Sequence, residues 1–137
     1  MKIAFVDPIG WAYDTRTPLN EPLGGTQSAV AYLTAELARL GIDVTVANGV
    51  TAPIFSDGVH FVSLNDLSGE FLNRFDVVVV VASACGNGLR RNLAVNVPIV
   101  LWCHQISNGL GVTGLAQPDE RKAWNGYAMV SNWQAED

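Results

Sequence analysis

Apolar positions along the chain fall into short blocks separated by Gly, Pro and charged residues, and the blocks alternate between a strand-like and a helix-like pattern. Residues 2–7 carry Ile3-Ala4-Phe5-Val6 and stop at Asp7-Pro8, which predicts a first strand. Residues 26–40 predict a helix: Val30, Leu33, Leu37 and Leu40 recur at helical spacing, Glu36 and Arg39 fall on the other face, and Gly41 is placed as the stop. Residues 42–47 are rich in β-branched side chains and predict a second strand, and 60–64 a weaker third. A short helix over 67–75 precedes 76–82, where five consecutive valines, Val77 to Val81, mark a strand buried on both faces. A helix over 87–94, a strand over 98–103, a helix over 118–124 and a strand over 127–131 follow, and 132–137 resemble the start of a further helix.

Strands alternating with helices, with strands apolar on both sides, predict an α/β fold: one Rossmann-like domain over 1–137 with a doubly wound parallel sheet. The connections differ in length. Helix-to-strand links are short, but the links at 8–25 and 104–117 exceed the usual few residues and are the places to look for function. Both follow the carboxyl ends of parallel strands, the edge where ligands bind in open α/β sheets.

Composition removes several function classes. With 49% apolar and 15% charged residues the chain is not disordered. Eight basic against 13 acidic residues leave a net charge of -5, which opposes nucleic-acid binding and a polybasic membrane contact. Two cysteines, Cys85 and Cys103, make no disulfide framework and read as reduced thiols of a cytoplasmic protein. No signal peptide or membrane span is read, since the run from Val77 to Cys85 is half the length that a span needs.

Leu23-Gly24-Gly25-Thr26-Gln27-Ser28 opens the first long helix. Paired glycines admit a ligand close to the backbone, and Thr26 or Ser28 is placed to cap a helix whose free N–H groups attract a phosphate; an ordinary glycine turn explains the same residues. No dinucleotide fingerprint or P-loop is present, which weakens a nicotinamide-dependent oxidoreductase. His104 follows the strand over 98–103 at the ligand edge, whereas His60 lies at the opposite edge and reads as structural. Cys85, Cys103 and His104 match no metal-ligand spacing. Trp11, Tyr13, Asp14, Arg16 and Asn20 of the first long link suit a sugar or nucleotide, and equally suit packing. Ser131-Asn132 ends the last strand at the same edge.

Pro22 to Ser28, the helix to Leu40, Gly41 and Ile42-Asp43-Val44-Thr45-Val46 together resemble the amino-terminal domain of group 1 glycosyltransferases, the retaining, nucleotide-sugar-dependent enzymes of the GT-B fold. Phe75-Asp76-Val77-Val78, Val97-Pro98-Ile99-Val100 leading to His104, and Val130 to Gln134 are similar to later segments of that domain. The resemblance implies a transferase that moves a sugar from a nucleotide-diphosphate sugar to a hydroxyl acceptor, with no cofactor and no metal. It implies donor contacts at Gly24, Gly25 and Thr26, a histidine beside the transferring sugar at His104, and acceptor contacts at Trp11, Asn20 and Gln105. Nothing in the chain matches the family's carboxyl-terminal donor domain, so the chain is expected to be a piece of a longer enzyme, inactive alone, with self-association open to it through apolar surface that the missing part would cover. A non-catalytic nucleotide- or glycan-binding module is the alternative. Ile42 stands where the family often has histidine.

Overall fold

The structure is a computed structural model that describes residues 1–81, 86–103 and 124–129. Its strands are β1 (Lys2–Val6), β2 (Asp43–Asn48), β3 (Ile54–Ser56), β4 (Val59–Ser63), β5 (Val77–Val81), β6 (Ile99–Cys103) and β7 (Gly126–Met129). The helices are α1 (Thr17–Asn20), α2 (Gly25–Arg39), α3 (Gly69–Leu72) and α4 (Gly86–Asn92), with a single 3-10 turn at Leu64–Asp66.

All strands join one sheet in the order β3-β4-β2-β1-β5-β6-β7, and every neighbouring pair is parallel except β3 with β4. The six parallel strands, counted along the chain, therefore follow the 3-2-1-4-5-6 order of Rossmann-like sheets. The chain winds outward from β1 through β2 to β4, then returns to β5 on the other side of β1. The crevice between the carboxyl ends of β1 and β5 is the point where such a sheet opens for a ligand.

Two cores explain the valine run. Val78 and Val80 pack with Ala4, Val6, Leu72, Leu89, Ile99 and Leu101 on one face. Val79 and Val81 pack with Phe5, Val30, Val44, Val46 and Phe61 on the other. A strand whose successive side chains point to opposite faces needs apolar residues at every position when both faces are covered. Among the described residues, no helix is long and apolar enough to cross a membrane.

Three expectations are corrected. The sheet carries an antiparallel edge strand, β3, which pairs Ile54 with Phe61 and Ser56 with Val59. Asp57 (φ 48°) and Gly58 (φ 81°) make the two-residue turn between β3 and β4, with the two positive φ angles that twisted hairpins favour. The fully buried residues of α2 are Gln27, Val30, Ala31 and Thr34, so the face is turned from the expected stripe: Val30 is buried and half-buried Leu37 packs on the core, but Leu33 and Leu40 are exposed. The small Ala31 and Thr34 let the helix lie close to the sheet, and the Thr34 hydroxyl donates to the Val30 carbonyl at 2.7 Å, so its burial leaves no unmet polar group. Finally, neither Thr26 nor Ser28 caps α2; Gly24 is its N-cap, without a side-chain cap. The helix ends as expected, with Gly41 N–H donating to Ala38 and Ile42 N–H to Leu37, the pair of bonds that closes a helix through a left-handed glycine. The predicted link at 104–117, the predicted helix over 118–124 apart from Trp124, and all residues from 130 onward lie outside the described residues.

Candidate functional site

The segment from Pro8 to Gly24 leaves the carboxyl end of β1 and returns to start α2, so both of its ends meet the ligand edge of the sheet. It is held at its middle. Asp7, 1% exposed, accepts from the Tyr13 hydroxyl at 2.6 Å and from Gln27 Nε2 at 3.2 Å through one oxygen, Oδ2. Its Oδ1 accepts from the Ile9 N–H at 3.3 Å. One carboxylate thus ties the end of β1, the long segment and the first turn of α2 together. Among the described residues no cation pairs with it.

Further bonds fix the segment from β2 and the β3–β4 hairpin. Asn48 Nδ2 donates to the Tyr13 carbonyl at 2.9 Å, and Gly49 N–H donates to the Trp11 carbonyl at 3.0 Å. The Thr15 hydroxyl lies 2.7 Å from both Ser56 Oγ and Asp57 Oδ2. Arg16 reaches Asp57 at 3.8 Å, an exposed pair of little energetic weight.

Between the two ends of this pinned segment is a cleft of about 390 Å³, lined by Trp11, Ala12, Pro22, Leu23 and Gly24. Trp11 is 48% exposed although its backbone is bonded in place. A Cβ built on Gly24 would sit 2.8 Å from Gln27 Oε1 and 3.1 Å from Trp11 Cζ3, so glycine lets the indole lie this close to the helix start. Gly25 differs: a Cβ there meets nothing within 4 Å, and its backbone is ordinary. The first bond of the helix register runs from Ser28 N–H to the Gly24 carbonyl, which leaves the N–H groups of Gly25, Thr26 and Gln27 at a positive helix end.

Of the residues expected at the site, Trp11 and Gly24 meet in the cleft, and Gly25 and Thr26 begin the helix beside it. Asn20 does not line the cleft; it sits on α1 with its amide donating to the Arg16 carbonyl at 3.1 Å. His104 and Gln105 lie outside the described residues, as do Cys85 and Ser131-Asn132. His60 lies near the amino end of β4, with its ring 4.5 Å from that of Phe55, on the edge away from the cleft. Sequence reasoning missed the bonding roles of Asp7, Gln27 and Asn48. The one available signal was position, since Asp7 and Asn48 each stand at the carboxyl end of an apolar strand. Among the described residues, no group of three or more His, Cys, Asp or Glu is placed to hold a metal.

Among the described residues, Tyr13 has a strongly shifted ionisation. Burial, then the charge of Asp7 and the hydrogen bond to it, push its phenol far above the ordinary tyrosine value of 10.0. The folded protein keeps this proton at a pH where the unfolded chain releases it. The contribution to stability is therefore complete below about pH 10 and is lost as pH rises beyond it, by up to about 1.4 kcal/mol per pH unit. Urea midpoints measured from pH 8 to pH 11 are expected to fall in the alkaline half, with a shallower fall in Tyr13→Phe; equal slopes would contradict the assignment.

Comparison with known proteins adds no neighbour to this picture: no family model, no curated protein and no solved structure matches the chain.

Proposed function

We propose that this chain is the acceptor-side, amino-terminal half of a retaining GT-B glycosyltransferase, which transfers a sugar from a nucleotide-diphosphate sugar to a hydroxyl acceptor. The observation that carries the reading is the juxtaposition at the ligand edge of β1: an indole packed against Gly24 and, beside it, the start of α2 at Gly25, where an added Cβ would meet nothing within 4 Å. In this reading, the N–H groups of Gly25 and Thr26 face the donor diphosphate, where a helix start is matched to negative charge. Trp11 faces the acceptor, and His104 stands beside the transferring sugar. The role of this half is to orient donor and acceptor, and closure against a second domain supplies the remainder of the donor site. No residue is assigned as a nucleophile.

Gly25 gives the sharpest test, because the fold has no steric need for glycine there. Titration of the ¹⁵N-labelled chain with nucleoside diphosphate sugars is expected to move the amide signals of Gly25 and Thr26 first. Gly25→Val is expected to abolish that response while its melting temperature stays close to wild type, and to lower turnover at least about tenfold in the longer polypeptide that the reading requires. Signals that move at the amino edge of the sheet, or a variant that responds like wild type, would overturn the reading. Tight binding of the nucleotide sugar without transfer by that longer polypeptide would favour the non-catalytic binding module.

A further inference from the structure

From the same cleft we infer the class of the acceptor: an uncharged sugar, bound with one face of its ring flat on the indole of Trp11. This rests on the transferase reading for the word acceptor, but the binding site itself rests on independent features of the cleft.

The first feature is a large apolar side chain that is half exposed yet held. Trp11 keeps 48% of its surface accessible, while its carbonyl accepts from Gly49 and the ring edge lies against Gly24. A tryptophan that is exposed only because the chain is loose has no such anchors. Ile9 and Leu19, on the same segment, are also exposed, at 54% and 70%. Of these three, only Trp11 lines the cleft, and an exposed aromatic ring on fixed backbone in a cleft marks a place of contact.

The second feature is charge. Among the described residues, none of the five that line the cleft ionises, and the single cation of the 8–24 segment, Arg16, pairs with Asp57. A phosphorylated acceptor would find no counter-charge among these described residues, and an anionic lipid surface would meet a chain of net charge -5. The third feature is shape. The cleft is largely open to solvent, and Trp11 is the one aromatic residue among the five that line it. A flat aromatic ligand would leave its second face wet, at a cost in apolar burial. A pyranose fits this asymmetry. The weakly positive C–H bonds of one ring face meet the negative face of the indole, and the hydroxyl groups stay in water or reach the backbone of Ala12 and Leu23.

The test is NMR on the ¹⁵N-labelled full chain, with methyl β-glucopyranoside and maltotriose as neutral probes, and glucose 1-phosphate, uridine and anionic phospholipid vesicles as comparisons. The indole N–H signal of Trp11, assigned by its loss in Trp11→Phe, is expected to move saturably with the neutral sugars. Trp11→Ala is expected to weaken binding, followed on the Ala12 and Leu23 amides, by about tenfold, and Trp11→Phe by less. Trp11→Phe keeps an aromatic ring in the half-buried position, so its urea midpoint should stay nearer wild type than that of Trp11→Ala. A Trp11 signal that ignores both sugars, or that responds better to uridine, glucose 1-phosphate or vesicles, overturns the inference. A response at Trp11 to sugars with none at Gly25 to nucleotide sugars upholds the sugar site and removes the transferase reading; the converse pattern does the opposite.

Discussion

Gly49→Ala is expected to cost at least about 3 kcal/mol and to release the segment that carries Trp11. A Cβ at this position would lie 1.9 Å from the Gly10 carbonyl oxygen, 2.5 Å from its carbon and 2.9 Å from the carbonyl carbon of Trp11. These are backbone atoms, so no rotamer change relieves the clash, and the segment itself has to lift. Lifting breaks the bond from Gly49 N–H to the Trp11 carbonyl and strains the neighbouring bond from Asn48 to the Tyr13 carbonyl. The effect is purely one of space, because the φ of Gly49 is not in the positive region. Urea unfolding would show the loss of stability, and limited proteolysis would show new cleavage between residues 8 and 24. Gly25→Ala is the control, since its added methyl group meets nothing within 4 Å. Equal midpoints for Gly49→Ala and wild type would mean that the segment is not seated on the end of β2.

The parts of this fold that were legible in the sequence are those where one local pattern has one cause. Five valines in a row can be accommodated where both faces of a strand are covered, and Val77–Val81 alternates between the two cores. Gly41 ends α2 because few other residues take a φ of 95°. The failures have equally specific causes. β3 is three residues long, its Ile54 and Phe55 are exposed, and it exists through pairing with β4, so no apolar pattern announces it; the Asp57-Gly58 turn does. The apolar stripe of α2 gave a sound helical period and a face only partly right: Val30 and Leu37 pack on the core, whereas Leu33 and Leu40 are exposed. What α2 turns to the sheet includes Gln27 and Thr34, polar residues whose burial depends on partners that periodicity does not contain.

The candidate site divides in the same way. Its address was legible, because an overlong link after a parallel strand must stand at the carboxyl edge of the sheet. The pairing of Trp11 with the glycine turn follows from that link closing on itself. The groups that fix its shape were not legible. Asp7 after an apolar run reads as a strand stop, and only folding brings it Tyr13 from six positions away and Gln27 from twenty.

Asp7→Ala is accordingly the second substitution expected to have a large effect. It leaves the Tyr13 hydroxyl and the Gln27 amide buried without an acceptor; both side chains belong to residues less than 5% exposed. Each stranded donor costs about 1–3 kcal/mol, so a loss of roughly 3–4 kcal/mol is expected. Asp7→Asn separates the loss of hydrogen bonds from the loss of the side chain. Its amide oxygen can take the place of Oδ2 and accept from both Tyr13 and Gln27. The amide nitrogen then faces the Ile9 N–H, which is the longest of the three bonds at 3.3 Å. A cost of only about 1–2 kcal/mol is expected for Asp7→Asn. The order matters for function as well as for stability. If the carboxylate holds the cleft by tying β1, the long segment and α2 together, then Asp7→Ala should displace the indole N–H signal of Trp11 in the free protein, while Asp7→Asn should leave it nearly in place. Chemical denaturation of both variants, read beside that one resonance, tests the two claims together. Equal stability of the alanine variant and wild type would show that the buried carboxylate does not organise this edge of the sheet.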